Sequence, residues 1–261
     1  MNFKALHEKG NCLVLGGAWN PLSAMIMEQK GFKAIGTTSW GVANELGYQD
    51  GEKIPFDDYE FIVKKMLAVI SIPLSIDIET GFSNNDNEIA ENVLRLAELG
   101  VAGINIEDSS KDNTALVSVD AFSARLEKIR TTLDTKGFTD FFINARTDTY
   151  LQLKNPLTET ISRAQSFEKH GADGIFVPFM TDDTDIKALI SEIKVPLNIL
   201  SLPNFSNVEH AKKIGVRRLS FGNAMSDAII SDIEKYSDKI LSNNNTSSLY
   251  EHGKLSTNFL K

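Results

Sequence analysis

Pro73-Leu74-Ser75-Ile76-Asp77-Ile78-Glu79-Thr80-Gly81-Phe82 is an apolar run that ends in two acidic residues and a turn glycine. Its length and its β-branched residues are typical of a buried strand. Because side chains alternate between the two faces of a strand, we expect Asp77 and Glu79 to project to the same side. Two carboxylates so close repel each other unless a cation or an oppositely charged side chain lies between them. Oxygen ligands without a neighbouring His or Cys favour Mg²⁺ or Mn²⁺.

Two further apolar segments end in charged residues in the same way. The segment Ala102 to Asp108 closes with Glu107 and Asp108, and the segment Phe141 to Asp148 closes with Arg146 and Asp148. Polar residues at the carboxyl ends of several strands are typical of an α/β barrel with its active site at that face.

A structural role for the acids is the alternative interpretation. An acid that follows a strand often caps the next helix or stabilises a turn. This interpretation suits Asp86, which Glu88 follows closely in sequence. It suits Asp77 and Glu79 less well, because the next helix is expected several residues later.

Strands and helices alternate along the chain. The expected strands are Cys12 to Leu15, Ala34 to Thr37, Leu74 to Asp77, Gly103 to Ile106, Phe141 to Asn144, Gly174 to Val177, Leu197 to Leu200 and Arg218 to Phe221. The expected helices are Pro21 to Lys30, Asp57 to Ile70, Asp86 to Leu99, Ser118 to Thr135, Thr158 to His170, Asp182 to Ile193, Ser206 to Ile214 and Asn223 to Leu241. Eight such units predict a single (β/α)₈ TIM barrel over residues 1–241. Residues 242–261 are expected to form a polar linker and a tail.

Composition narrows the class of protein. A length of 261 residues fits one barrel, and a hydrophobic share of 42% is enough for a large core. The net charge of -8 argues against a nucleic-acid partner. The single cysteine, Cys12, fits a reducing compartment. Without an apolar leader or a membrane-length apolar segment, we expect a cytoplasmic protein that makes no membrane contact.

Other expected strand ends carry candidate binding residues. Trp19 follows two glycines after the first strand and is either a pocket wall or a core side chain. Thr38-Ser39-Trp40 follows the second strand, where hydroxyl and N–H groups could bind an anion or cap a helix. Asp50 lies in an exposed loop as either a turn residue or a mobile catalytic acid. Arg146 could hold a carboxylate through its fork or form a structural ion pair with Asp148 or Glu107, and both roles are compatible.

These residues together resemble the phosphoenolpyruvate mutase/isocitrate lyase superfamily from about Leu13 to Ile229. The matching motifs are Gly17-Ala18-Trp19-Asn20-Pro21-Leu22-Ser23-Ala24, Thr38-Ser39-Trp40, Asp77-Ile78-Glu79-Thr80-Gly81-Phe82, Gly103-Ile104-Asn105-Ile106-Glu107-Asp108 and Asn144-Ala145-Arg146-Thr147-Asp148. The resemblance implies a Mg²⁺-dependent barrel enzyme that makes or breaks a C–C or P–C bond next to a 2-oxo acid. It also implies a homo-oligomer, usually a tetramer that exchanges C-terminal helices.

The resemblance also implies residue roles. Asp77 corresponds to a direct metal ligand, and Glu79 and Glu107 correspond to acids that often hold the metal through water. Thr38, Ser39 and Trp40 correspond to the loop that grips the substrate, and Arg146 corresponds to an arginine on the substrate. Asp50 corresponds to a gate-loop acid, and Asn113 to the asparagine of a mutase Lys-x-Asn motif, offset by a gap.

Departures from the lyases narrow the expected reaction. The Cys-Gly-His loop of isocitrate and methylisocitrate lyases is replaced by Ser109 to Ala115, which contains neither Cys nor His. Pro178 and Asn223 stand where lyases carry a glutamate and an arginine. We therefore expect a small 2-oxo acid substrate and C–C bond cleavage of the lyase, decarboxylase or hydrolase type. The alternatives are a phosphonomutase or phosphonopyruvate hydrolase, or a non-catalytic 2-oxo acid binding protein.

Overall fold

The computed structural model describes residues 2–112 and 114–251. Its strands are β1 (Leu13–Ala18), β2 (Ile35–Thr37), β3 (Leu74–Asp77), β4 (Gly103–Glu107), β5 (Phe142–Arg146), β6 (Gly174–Val177), β7 (Leu197–Leu200) and β8 (Arg218–Ser220). They pair in parallel in chain order, and β8 pairs with β1 to close the barrel. The predicted (β/α)₈ barrel is confirmed, and β3, β6 and β7 have the bounds expected from the sequence.

The helices are α1 (Pro21–Gln29), α2 (Ser39–Glu45), α3 (Phe56–Leu67), α4 (Asp86–Glu98), α5 (Val119–Thr135), α6 (Thr149–Gln152), α7 (Leu157–Lys169), α8 (Asp183–Glu192), α9 (Val208–Ile214) and α10 (Ala224–Asn243). Short 3₁₀ helices span Lys4–His7 and Ser247–Tyr250. Helices α2 and α6 were not expected, because they are too short to show a helical period. Residues 242 and 243 were expected in the linker but belong to α10.

The first strand is longer than expected. Gly16 and Gly17 were expected after the end of the strand, but both lie within β1. A Cβ atom at Gly17 would collide with the backbone carbonyl oxygen of Gly222. Glycine is therefore required here because the chain itself approaches β1 closely.

The hydrophobic core fills the layer between the strands and the helices. Ile104 and Ile106 of β4 are fully buried there, and Phe122 of α5 packs edge-to-face on Phe167 of α7 with ring centroids 4.7 Å apart. The residues between them on the strands point the other way, into the barrel. The barrel interior is consequently built from a separate set of side chains, several of them polar.

Aromatic packing joins the N-terminal segment to the amino-terminal end of β5. The His7 ring stacks on Phe142 with centroids 4.4 Å apart, and Phe3 meets both rings edge-on. In the described ranges, no helix is long and apolar enough to cross a membrane.

Candidate active site

A cavity of about 260 Å³ opens at the carboxyl ends of the strands. Its wall includes side chains at the carboxyl ends of β2, β3 and β5, and its floor reaches the barrel interior. The residues that line it include Thr37, Thr38, Ser39, Trp40, Asp50, Asp77, Asn105, Arg146, Phe176, Pro178, Phe179, Arg218, Ser220 and Asn223. Five of the residues proposed for the substrate and the metal therefore share one cavity with Asp50.

A larger and more open hollow of about 530 Å³ lies at the opposite end of the barrel. It is lined by Cys12, aliphatic side chains and exposed lysines. Burial raises the pKa of the Cys12 thiol to about 11, so the thiol is protonated and a poor nucleophile. We assign the active site to the smaller cavity, because the carboxylates and the arginine fork meet there.

The second strand leads directly into α2, which Thr38 caps. Thr38 Oγ1 accepts a hydrogen bond from the Gly41 N–H at 3.3 Å, and the Thr38 N–H donates to the carbonyl oxygen of Ala18 at 3.1 Å. Thr38 therefore has the capping role that was left open. The backbone N–H groups of Ser39 and Trp40 lie in the first turn of the helix, where intrahelical acceptors are absent.

Asp77 is held through its backbone at the end of β3. The Thr37 hydroxyl accepts from the Asp77 N–H at 2.9 Å, and the Tyr59 hydroxyl donates to the Asp77 carbonyl oxygen at 2.5 Å. Thr37 and Tyr59 also hydrogen-bond each other at 3.0 Å. This arrangement fixes the main chain of Asp77 and leaves its carboxylate facing the cavity.

Glu79 does not continue the alternation of β3. The strand ends at Asp77, and Glu79 has a φ of 50°, in the left-handed region. The expectation that strand geometry places both acids on one face is wrong for this reason. The Glu79 carboxylate instead accepts from the Glu52 N–H at 3.1 Å, and the side chain is buried.

The guanidinium of Arg146 is held in place by two acidic side chains. Its Nε and Nη2 donate to the two carboxylate oxygens of Asp148 at 2.6 and 3.1 Å, and its Nη1 lies 2.7 Å from Glu107 Oε2. Asp148 also accepts from the Ser109 hydroxyl at 2.6 Å. Arg146 therefore forms the expected ion pairs with Glu107 and Asp148, and it also lines the cavity.

Asp77 lines the cavity and Glu79 and Glu107 do not, but these acids are close enough to repel one another. Burial, opposed by Arg146, raises the pKa of Asp77 to about 6. Burial, with Asp50 and Asp77, raises the pKa of Glu79 to about 8. Burial also raises the pKa of Glu107, although Arg146 opposes it. For Arg146, burial lowers the pKa, but Glu107, Asp148 and Asp77 together raise it above the usual value.

Asp50 lies on an exposed loop at the cavity mouth, two residues before Glu52. Lys111 Nζ reaches Glu52 Oε2 at 2.8 Å and so joins this loop to the segment after β4. Asn113, which the resemblance makes a catalytic candidate alongside Asp50 and Arg146, lies outside the described residues.

The sequence comparison decides the family. Residues 3–241 match the family described as Phosphoenolpyruvate phosphomutase. The chain belongs to this family. The expected membership of the phosphoenolpyruvate mutase/isocitrate lyase superfamily is thereby confirmed, and with it the prediction of an enzyme of that superfamily.

Three relatives of the family illustrate its range. An uncharacterized protein of Mycobacterium tuberculosis is 36% identical over 224 residues, which are 85% of this chain and 82% of the relative. 2-Methylisocitrate lyase of Escherichia coli K12 is 30% identical over 203 residues, 75% of this chain and 67% of the lyase. Oxaloacetate decarboxylase of Pseudomonas entomophila is 29% identical over 232 residues, 85% of this chain and 78% of the decarboxylase.

Solved structures in the family share the barrel. Oxaloacetate acetylhydrolase superposes with a TM-score of 0.85 at 25% identity, covering 94% of this chain and 87% of that one. Phosphonopyruvate hydrolase in complex with oxalate and Mg²⁺ superposes with a TM-score of 0.86 at 22% identity, covering 98% and 91%. The second likeness supports the fold alone.

Trp19, expected to be either a pocket wall or a core side chain, does not line the cavity. It packs against the hydrophobic core, and its Cβ lies beside Gly41 of α2. Of the two expected roles, the structure therefore favours the core side chain.

Five residues that shape the site were not predicted from the sequence: Glu52, Tyr59, Asn105, Asn198 and Arg218. A signal was available for two of them, because Asn105 and Asn198 interrupt apolar strands at inward positions. Nothing in the local sequence marks Glu52 or Tyr59, since their roles depend on contacts with residues 18 or more positions away.

Proposed function

We propose that the chain is a Mg²⁺-dependent enzyme that acts on a small 2-oxo acid and breaks the C–C bond next to its carbonyl group. The observation that carries this proposal is the meeting of Asp77, Arg146 and the first turn of α2 at one cavity. The relatives named as a methylisocitrate lyase and an oxaloacetate decarboxylase support C–C cleavage.

The donor set fits a divalent cation. Asp77 and Glu79 have raised pKa values because they are buried with like charges nearby, and a cation would relieve this repulsion. Within residues 2–112 and 114–251, no group of three or more His, Cys, Asp or Glu is arranged to hold a metal directly. Following the roles that the family resemblance implies, we assign direct ligation to Asp77 and contact through water to Glu79 and Glu107. Bound Mg²⁺ would supply positive charge where negative charge develops as the bond breaks.

The protein's own groups would position the substrate. The N–H groups of Ser39 and Trp40 suit a carboxylate at the cavity rim. The Arg146 fork is pre-oriented by Asp148 and Glu107, so little side-chain entropy is lost when it contacts the substrate. Asp50, at the mouth, is the candidate group for proton transfer.

Cleavage of a P–C bond at the same site is the second candidate. Lys111 pairs with Glu52, two residues after the cavity residue Asp50, and Lys111-Asp112-Asn113 resembles the Lys-x-Asn motif of the mutases and phosphonopyruvate hydrolases. A lysine on this segment suits a substrate that carries a phosphonate.

The test is turnover of oxaloacetate, 2-methylisocitrate, phosphonopyruvate and phosphoenolpyruvate with and without Mg²⁺. We expect turnover of a 2-oxo acid that requires Mg²⁺ and is lost in Asp77→Asn. Asp120→Asn, an exposed change in the first turn of α5, is the matched control. Tight binding of a 2-oxo acid without turnover would leave the non-catalytic binding protein as the function.

We also propose an oligomeric state and a cellular location for the protein. Helix α10 spans 20 residues but buries only Ser226 among them, and it exposes several isoleucines. An apolar helix face of this kind suits a partner copy, so we propose a homo-oligomer, with a tetramer favoured. The single cysteine and the absence of a long apolar helix in the described residues are consistent with the cytoplasmic location that we propose.

A further inference from the structure

Two hydroxyl groups close a ring of hydrogen bonds around the backbone of Asp77. The Asp77 N–H donates to Thr37 Oγ1 at 2.9 Å, and the Tyr59 hydroxyl donates to the Asp77 carbonyl oxygen at 2.5 Å. Because the Tyr59 proton is engaged there, the Thr37 hydroxyl must donate to the Tyr59 oxygen, which lies 3.0 Å away. Each donor in the ring therefore has an acceptor.

The ring takes the place of sheet pairing where β2 leaves β3. The register of these two strands ends with the pair of Gly36 and Ser75, and β2 then leads into α2. On the opposite side, Asp77 pairs with Asn105 of β4. The two hydroxyls thus hold Asp77 on the edge from which the β2 backbone has turned away.

The Tyr59 side chain is fixed independently of its hydroxyl. Tyr59 lies near the start of α3 and is 1% exposed. Its ring packs against the Phe82 ring with centroids 5.2 Å apart, and the Phe82 N–H donates to Glu52 at 2.9 Å. Tyr59→Phe should therefore remove the hydroxyl and leave the ring in place.

The orientation of Asp77 depends on this support. Asp77 is the last residue of β3, and the chain turns directly after it, with Glu79 at a φ of 50°. Metal ligands need outer partners that hold them in one orientation. The Tyr59 hydroxyl and the Thr37 hydroxyl supply such partners through the Asp77 backbone.

We propose that Tyr59 is a positioning residue of the metal site, which raises the affinity for the cation by holding Asp77 together with Thr37. This inference rests on the proposed function, because the cation is the Mg²⁺ assigned to the same site. Tyr59 does not line the cavity, so its effect on a bound cation must pass through Asp77.

A purely structural role for Tyr59 predicts a different result. Loss of a buried hydroxyl that forms hydrogen bonds lowers stability wherever it occurs. A positioning role also changes the metal affinity of the folded protein. Tyr150 supplies the matched control, because its hydroxyl donates to Asp185 at 2.6 Å and neither residue lines the cavity.

The experiment compares wild type, Tyr59→Phe and Tyr150→Phe with Mn²⁺ as the probe. Calorimetry measures Mn²⁺ binding at a temperature at which each protein is folded, and thermal unfolding is measured with and without Mn²⁺. We expect Tyr59→Phe to bind Mn²⁺ about tenfold more weakly than wild type. The rise in unfolding temperature that Mn²⁺ causes should be smaller in this variant. Tyr150→Phe should bind Mn²⁺ as wild type does.

Thr37 tests the same ring from its other side and covers the case in which Tyr59→Phe folds poorly. Thr37→Val keeps the shape of the side chain but removes the hydroxyl, so it should also weaken Mn²⁺ binding. Thr37→Ser, which keeps the hydroxyl, should regain most of the affinity that Thr37→Val loses.

The outcomes separate the positioning role from the proposed function. Wild-type Mn²⁺ affinity in folded Tyr59→Phe or folded Thr37→Val overturns the inference, even where stability falls, and leaves the proposed function standing. An equal loss of affinity in Tyr150→Phe also overturns it, because the loss would then follow from any missing hydroxyl. A wild-type protein that binds neither Mn²⁺ nor Mg²⁺ overturns the metal-dependent function, and the inference falls with it.

Discussion

The segment that carries Glu52 and the segment that carries Glu79 are joined by hydrogen bonds from each side to the other. The Glu52 N–H donates to Glu79 Oε1 at 3.1 Å, and Glu52 Oε1 accepts from the N–H groups of Thr80 and Phe82, both at 2.9 Å. Both glutamates have a positive φ, 56° and 50°, which costs energy for residues other than glycine. The contacts must outweigh this strain, so the loop that carries Asp50 is fastened to the turn after β3.

Replacing Glu52 should release this loop. Glu52→Ala removes a buried carboxylate that accepts three hydrogen bonds, including one from the Thr80 hydroxyl at 2.6 Å, and the ion pair with Lys111. We expect a loss of roughly 1–3 kcal/mol in the free energy of unfolding and a lower kcat, because Asp50 loses its position. Denaturant unfolding and steady-state kinetics measure the two effects.

Glu45→Ala is the matched control, since Glu45 is exposed at the end of α2. It should leave both the stability and kcat near wild type. Wild-type stability in Glu52→Ala would show that the reciprocal contacts do not hold the loop.

The raised pKa of Glu79 predicts a pH-dependent stability. Its pKa rises from 4.5 to about 8 in the folded chain, so the folded state binds this proton more tightly than the unfolded state. The stabilisation is complete below pH 4.5 and is lost as the pH rises through about 8. In Mg²⁺-free buffer, wild type should therefore lose more stability across this window than Glu79→Gln, by a few kcal/mol at most, to order of magnitude.

Thermal unfolding at several pH values measures this difference. Glu98→Gln, on the exposed surface of α4, should follow the wild-type curve. Added Mg²⁺ should restore stability at the alkaline end in wild type. Parallel curves for wild type and Glu79→Gln would mean that folding does not raise the pKa of Glu79.

Much of the barrel could be predicted from the sequence because each unit repeats one local pattern. A helix end, a glycine and a short apolar strand recur, as at Gly100 before β4 and Gly215 before β8. Helices α2 and α6 were not predicted, because a helix of one or two turns shows no hydrophobic period. The start of α2 is fixed by the Thr38 cap. The path of β1 through Gly16 and Gly17 depends on a contact with Gly222 that is remote in sequence.

The site was predictable only in part. Asp77 and Arg146 could be found because they stand at strand ends, where barrel geometry directs them to one face. Arg218 could not, because it opens a strand and reaches the cavity by crossing the interior to Asn105. The hydrogen bond from the Thr80 N–H to Glu52 could not be predicted either, because it joins two loops that only the closed barrel brings together.

Arg146→Lys should weaken substrate binding without unfolding the barrel. Lysine keeps the charge but loses the fork that contacts Glu107 and Asp148 and faces the cavity. We expect a loss of about 1–3 kcal/mol in the binding free energy of a 2-oxo acid, measured by calorimetry. Arg130→Lys is the control, because Arg130 forms a comparable ion pair with Asp173 far from the cavity. Equal affinity in wild type and Arg146→Lys would leave Arg146 as a structural ion pair.

Helix α10 should mediate assembly. Ile229, Ile230 and Ile233 are 46%, 41% and 60% exposed on this helix. Side chains three and four residues apart share one helix face, so Ile229 and Ile233 form an apolar surface that suits a second copy. We expect a homo-oligomer, most simply a tetramer, in light scattering at micromolar concentration. The double variant Ile229→Glu/Ile233→Glu should shift it toward monomer, because burying two carboxylates at an interface is costly.

The control for assembly is Glu234→Gln, an exposed polar change on the same helix, which should leave the oligomer intact. A chain that ends at Asn243 tests the tail separately. Its expected apolar arm includes Leu249 and Tyr250, which are 41% and 77% exposed, whereas Leu255, Phe259 and Leu260 lie outside the described residues. An unchanged oligomer after this truncation removes the arm from the interface but retains α10. A full-length monomer contradicts the assembly itself, because the exposed isoleucines would then face solvent in the native state.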